Sequence, residues 1–231
     1  YAVGYPVAQW YLHKWAGVDS QTGDPLWQYA DGSLSTTPPA SNNAISQANK
    51  FVMGTAMPDL YGSMTNILAY KDFELDFMFT FSLGSRMMNG TRANLLTYSQ
   101  DDANNLSSEM MSMWQMPGQR TDIPKLDNKS IIAGYDYTVS ITSDRFLENN
   151  SYLRLKTLTL SYSLPQKALK KLKVMEQFKF FVTLTNVFTI TKYSGLDPEV
   201  SAFGSSALAA GYDNMTMPQS RSYQFGIRAS F

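Results

Sequence analysis

The sequence has no cysteine, which removes disulfide frameworks, thiolate metal sites and cysteine nucleophiles together. Its only histidine is His13. With no second imidazole to share a metal and no serine-triad pattern around it, that residue reads as a packed or surface ring. No run of roughly 18 apolar residues occurs, so no membrane-spanning helix can be drawn, and the mean hydropathy is negative. Nineteen Lys and Arg balance nineteen Asp and Glu, so no net field favours nucleic acid. Dinucleotide and phosphate-loop glycine patterns are missing too. The residues offer no catalytic constellation, no metal site and no cofactor, and the expectation is a protein that is not an enzyme.

What is present is alternation. The last eleven residues, RSYQFGIRASF, set Tyr223, Phe225, Ile227, Ala229 and Phe231 on one face, against Ser222, Gln224, Gly226, Arg228 and Ser230 on the other. A tilted strand needs about 9 to 11 residues to cross a bilayer, with lipid on one face and a wet lumen on the other. Phe73 to Leu83 repeats the pattern most strongly, with Phe73, Leu75, Phe77, Phe79, Phe81 and Leu83 in phase. Phe178 to Phe188 follows it, broken at Asn186, and Leu60 to Tyr70 follows it more weakly, broken at Asn66. Tyr152 to Leu164 keeps Leu158, Leu160, Tyr162 and Leu164 in phase, but Leu153 and Leu155 fall out of it. Strict alternation therefore lifts that first half above the hydrocarbon.

The connections have a rhythm. Lys71 and Asp72 make one tight turn and PQKALKKLKVMEQ another short link, whereas Arg86 to Asn150 and Thr189 to Ser220 are long and rich in Gly, Asn, Ser and Met. Outer-membrane barrels have short periplasmic turns and long extracellular loops. On that pattern the final strand runs inward from outside, and both long connections lie outside the cell. Residues 1–58 read as a loop-rich extracellular portion and 59–231 as barrel strands and loops. Asn104 to Met116 predicts a helix closed by Pro117 and Gly118, and the ALKKLK stretch a helical turn. Tyr1 follows neither a methionine nor a leader pattern, so the chain reads as the carboxyl end of something larger.

Asp19, Asp24 and Asp31 lie near glycines, but their spacing does not fit a calcium-binding hand and they read as solvated turns. Aromatics outside the spanning strands, chiefly Trp10, Trp27, Tyr98, Trp114 and Tyr212, are candidates to stack on a sugar or grip a partner. Packing within the loops is the competing reading for each. At the level of the whole chain the rival is a soluble or surface-attached β-sandwich that binds glycan or acts as an adhesin, since one buried face per strand also alternates. The unbroken phenylalanine row and the segregated loop lengths favour the transmembrane antiparallel β-barrel.

Several phrases together resemble the SusC/RagA-type TonB-dependent outer-membrane transporters. These are GYPVAQWYLHKWAGVDSQTGDPLW from Gly4 to Trp27, PDLYGSMTNILAYKDFELDFMFTFSLG from Pro58 to Gly84 and MWQMPGQRTDIPK from Met113 to Lys125. NNSYLRLKTLTLSYSLP from Asn149 to Pro165, TNVFTITKYSGLDPEVS from Thr185 to Ser201 and the aromatic terminus complete the set. The resemblance implies the carboxyl-terminal wall of a barrel of about 22 strands, with the plug and the TonB-contacting box outside this chain. It implies uptake of an oligosaccharide or peptide through the outer membrane of a Gram-negative bacterium, energised through TonB beneath a SusD-like surface lipoprotein. Tyr223, Phe225, Ile227 and Phe231 would then be the assembly signal of the last strand.

Overall fold

A computed structural model describes residues 4–37, 48–96, 105–126, 142–172, 175–204 and 210–231. Its strands run in chain order as β1 Gln9–Val18, β2 Pro25–Gln28, β3 Leu34–Ser35, β4 Lys50–Thr55, β5 Leu60–Tyr70 and β6 Phe73–Leu83. They continue as β7 Arg86–Asn89, β8 Leu147–Asn149, β9 Tyr152–Ser163, β10 Gln177–Thr191, β11 Tyr212–Asp213 and β12 Ser222–Ser230. The chain divides into two compact units. One holds 1–57, 85–149 and 194–217, and the other 58–84, 150–193 and 218–231.

The second unit is one antiparallel sheet in the order β12-β10-β9-β6-β5. Each of these strands coincides with a segment of period-two alternation, because a strand buries or exposes every second side chain together. Lys71, with φ of 56°, closes the β5–β6 turn, and Asp72 C=O accepts from Ser163 N at 2.8 Å. Between β9 and β10 the chain forms the helix Gln166–Leu172, longer than the single turn expected. Pro165 C=O accepts from both Ala168 N and Leu169 N at its start. The two short connections therefore stand at one end of the sheet and the two long ones at the other.

The out-of-phase leucines of β9 are corrected by register. Thr157 pairs with Met78, but Leu155 pairs with Phe79 and Leu153 with Phe81. Lys156 is thus an extra residue, a β-bulge that absorbs one step of the alternation. Leu153 and Leu155 stay on the same face as Leu158 and Leu160, so this half belongs to the apolar wall rather than rising above it. β10 carries a matching irregularity between Thr185 and Phe188, where Asn186 adopts φ of 54°. The asparagine that breaks the sequence pattern is the residue that makes the bend.

The first unit has a core of its own: Leu12, Met88, Ala93, Leu96, Met110, Ile123, Phe146 and Leu147 pack together. The region read as loop-rich contributes a four-stranded sheet, β3-β2-β1-β4, and a smaller sheet is ordered β11-β7-β8. Bulges in β1 between Gln9 and Tyr11 and between Trp15 and Gly17 hide its period. The helix expected over Asn104 to Met116 is not formed. Asn104 lies outside the described residues, and Ser108–Ser112 forms one short 3-10 helix instead. The chain turns extended at Met113, with ψ of 155°, and Trp114 N donates to Ile123 C=O at 3.0 Å. That bond replaces the one that a continuing helix would have made.

Candidate functional site

The five-stranded sheet has two chemically distinct faces. On one, the register aligns Leu68, Leu75, Leu160, Val182 and Phe225 across all five strands. A sandwich would bury this face under a second sheet. Here Leu68 is 57% and Phe225 76% exposed. Nearer the short connections, Tyr70, Phe73, Tyr162 and Phe180 are successive cross-strand partners, and the Phe73 and Tyr162 rings lie 4.8 Å apart. Aromatic rows of this kind mark the boundary between hydrocarbon and water in membrane barrels.

The opposite face is polar and internally bonded. Lys179 Nζ on β10 stands 2.8 Å from Glu74 Oε1 on β6, reaching across β9. Thr159 and Thr183 hydroxyls meet at 3.0 Å. One large ring on this face has a specific place: Phe181, cross-strand partner of Gly226, lies over the glycine. A Cβ at Gly226 would fall 2.2 Å from the ring Cζ. Phe81 covers Gly62 in the same way on the apolar face, at 3.1 Å. Aromatic cover of a strand glycine restores contact that the missing side chain gives up and pins the register. Phe181 was legible as the one aromatic among Lys179, Thr183 and Thr185.

In the other unit the loop aromatics are held by specific contacts. Trp27 is 1% exposed and meets Trp15 edge-to-face at 5.2 Å. Trp114 Nε1 donates to Ser20 C=O at 3.0 Å, and its ring fills the space where a Cβ on Gly23 would lie, at 2.4 Å. Trp10 Nε1 donates to Arg86 C=O at 3.0 Å. Tyr212 stacks on Phe203 with ring centroids 5.7 Å apart. The structure brings Trp10 and Tyr212 together around a cavity of about 260 Å³ that Val7, Ala8, Phe203 and Ala210 also line. Phe203 and Val7 were not among the expected residues, since neither sits in a periodic segment. Trp27 and Trp114 stand apart from that cavity, and Tyr98 lies outside the described residues.

Charged groups in this unit serve the packing. Arg92 pairs with Glu109 at 2.8 Å and with Glu148 at 3.8 Å; the Glu109 hydrogen bond, against the cost of burial, holds the guanidinium above its ordinary pKa. Glu148 Oε1 also accepts from Asn89 Nδ2 at 3.1 Å and from Ser194 Oγ at 2.7 Å. Arg145 lies over the rings of Trp15 and Phe146, at 4.7 and 4.8 Å. Burial and the neighbouring Arg92 charge bring its pKa down to about 9, which leaves it charged at neutral pH. Asp19 caps its own turn, accepting from Gln21 N at 2.7 Å, and Asp31 accepts from Ser33 N at 2.9 Å. Asp24 pairs with Lys125 at 2.9 Å. Burial works to raise its pKa, but the hydrogen bonds of Lys125 and Thr22 and the Lys125 charge outweigh it and leave it lowered.

A sheet with one largely open apolar face, a bonded polar face behind it and an aromatic row at its short-turn end is a segment of an outer-membrane β-barrel wall. No family model matches the chain. It is 28% identical to the TonB-dependent receptor P3 of Formosa agariphila, over 92% of this chain and 19% of that receptor. It is 25% identical to the TonB-dependent receptor SusC of Bacteroides thetaiotaomicron, over 99% of this chain and 20% of SusC. Among solved structures it superposes on the RagAB peptide transporter with a TM-score of 0.80 and 26% identity, covering 100% of this chain and 23% of that one. The chain is similar throughout to TonB-dependent receptors of the SusC/RagA type, which are proteins of the Gram-negative outer membrane, and it spans about a fifth of the curated relatives it matches.

Proposed function

We propose that this chain forms part of the wall and the outward loops of a TonB-dependent importer of oligosaccharides or peptides. The observation that carries the reading is the five-stranded sheet with one apolar face, suited to lipid, and one polar face, suited to a wet lumen. Its edges, β5 and β12 among the described residues, require further strands, because unpaired backbone is not tolerated in hydrocarbon. Those strands, a plug and the TonB contact belong to the rest of the receptor. On this reading the short connections face the periplasm, the long connections face outward, and a SusD-like lipoprotein covers the loops. The cavity between Trp10, Phe203 and Tyr212 is the surface we assign to substrate or lipoprotein contact. Tyr223, Phe225, Ile227 and Phe231 supply the strand signal read during barrel assembly, and the chain carries no catalysis.

The test is uptake. A strain lacking the full receptor should lose import of one labelled class, oligosaccharide or peptide, and regain it on complementation. Undiminished import of both classes would sink the proposal. Replacing Phe231 with Asp should lower the amount of receptor inserted in the outer membrane, and normal insertion would remove the signal role.

A further inference from the structure

The short-connection end of the sheet is basic. Lys71 occupies the β5–β6 turn with its Nζ 5.2 Å from the Tyr70 ring. Lys167 and Lys170 are exposed on the helix Gln166–Leu172, while Leu169 of the same helix is 2% exposed and anchors it. Residues three apart on a helix share a side, so these two lysines stand together. Counting Lys171 and Lys173, the two connections carry five lysines against Asp72 and Glu176, a net of +3. Glu74, the carboxylate nearest on the polar face, is already paired with Lys179 and does not neutralise them.

Their depth is set by the aromatic row. Tyr70 ends β5 and is 71% exposed, and Lys71 follows it directly, about 3.3 Å further along the chain direction. Lysines just beyond such a row sit at the level of lipid headgroups, with their alkyl stems over the rings. We propose that Lys71, Lys167 and Lys170 form a rim that binds the anionic phospholipid headgroups of the leaflet at the short-connection end. The net charge is positive, the three lysines are exposed, and the rim is continuous with the lipid-facing wall, which selects a membrane surface over a free anion.

The experiment uses the full-length receptor in symmetric nanodiscs of phosphatidylcholine mixed with phosphatidylglycerol. Symmetric bilayers make the result independent of which end faces the periplasm, so the orientation proposed above and this rim fail separately. Lipids retained after extraction into mild detergent are quantified by mass spectrometry. The parent should retain phosphatidylglycerol above its bulk share. The Lys71→Gln/Lys167→Gln/Lys170→Gln variant should lose that enrichment on the order of fivefold per lysine, with heat-modifiable migration unchanged in pure phosphatidylcholine. Equal enrichment in both proteins would overturn the proposal. So would displacement of the retained phosphatidylglycerol by inorganic phosphate, which would make this a small-anion site.

Discussion

Phe181 of β10 lays its ring over Gly226 of β12, so close that a Cβ on the glycine would stand 2.2 Å from Cζ. The neighbours Phe225 and Ile227 project to the lipid side, leaving the ring as the main side-chain contact that Gly226 makes across the ladder. Gly226→Ala must push the tip of the ring aside, at a cost on the order of 1 kcal/mol, the low end for overpacking. Phe181→Ala removes the cover and should destabilise comparably. The double variant should be less damaged than the two single effects summed, because the steric conflict and the contact involve the same pair of residues. Midpoints of heat-modifiable gel migration check this; strict additivity would mean that the pair is uncoupled.

Arginine substitutions test the assignment of faces. An arginine facing lipid near the midplane costs about 2–4 kcal/mol, and one facing the lumen much less. Leu160→Arg and Leu155→Arg should both impair insertion, whereas Thr157→Arg should be tolerated. Leu155 is the informative one: alternation without a bulge would turn it to the lumen, whereas the pairing with Phe79 turns it to lipid. Receptor yield in outer-membrane fractions measures the outcome, and a well-inserted Leu155→Arg variant would remove the bulge from the argument.

The spanning strands were legible in the sequence because lipid on one side and water on the other force a period of two, residue by residue. Phe73 to Leu83 carries that signal almost without noise. It failed locally at Lys156, where an inserted residue shifts the phase without changing the face, a fact that only the neighbouring strand's register reveals, and at Asn186, where a polar residue at the bend occupies the apolar phase. The other unit was far less legible. Its core joins Leu12, Met88 and Phe146, distant in sequence and drawn from short elements, so no window of the chain shows a period. The loop aromatics were recognisable as a set, but the grouping of Trp10 with Phe203 and Tyr212 depends on contacts that spacing cannot encode.

The same set separates into packing and contact roles by mutation. Trp27, 1% exposed, should cost about 3–5 kcal/mol as Trp27→Ala. Trp27→Phe should be milder, since no hydrogen bond to Trp27 Nε1 is found among the described residues. Trp10→Ala and Tyr212→Ala should instead lower uptake while the unit that contains them keeps its resistance to limited proteolysis. If Trp27→Ala keeps that resistance yet loses uptake, the division is wrong and Trp27 touches the cargo.

His13 gives the unit that contains it a pH dependence whose sign can be worked out. The ring is 3% exposed, and its Nδ1 donates to Asn49 C=O at 3.3 Å. Burial lowers its pKa from 6.5; the Asn49 hydrogen bond opposes this and the Lys50 charge adds to it. A depressed folded-state value means that the unfolded chain binds the proton first, so stability is complete above about pH 6.5 and falls as the pH drops through the folded value. Asp144, which accepts from Trp15 N at 2.7 Å, works in the opposite sense, because burial raises its pKa and acid favours its folded form. The expected net result is faster proteolysis of this unit at pH 5.5 than at pH 7.5. In His13→Gln that acid-induced increase should vanish, since the amide does not titrate. An undiminished increase in the variant would assign the acid sensitivity to some other group.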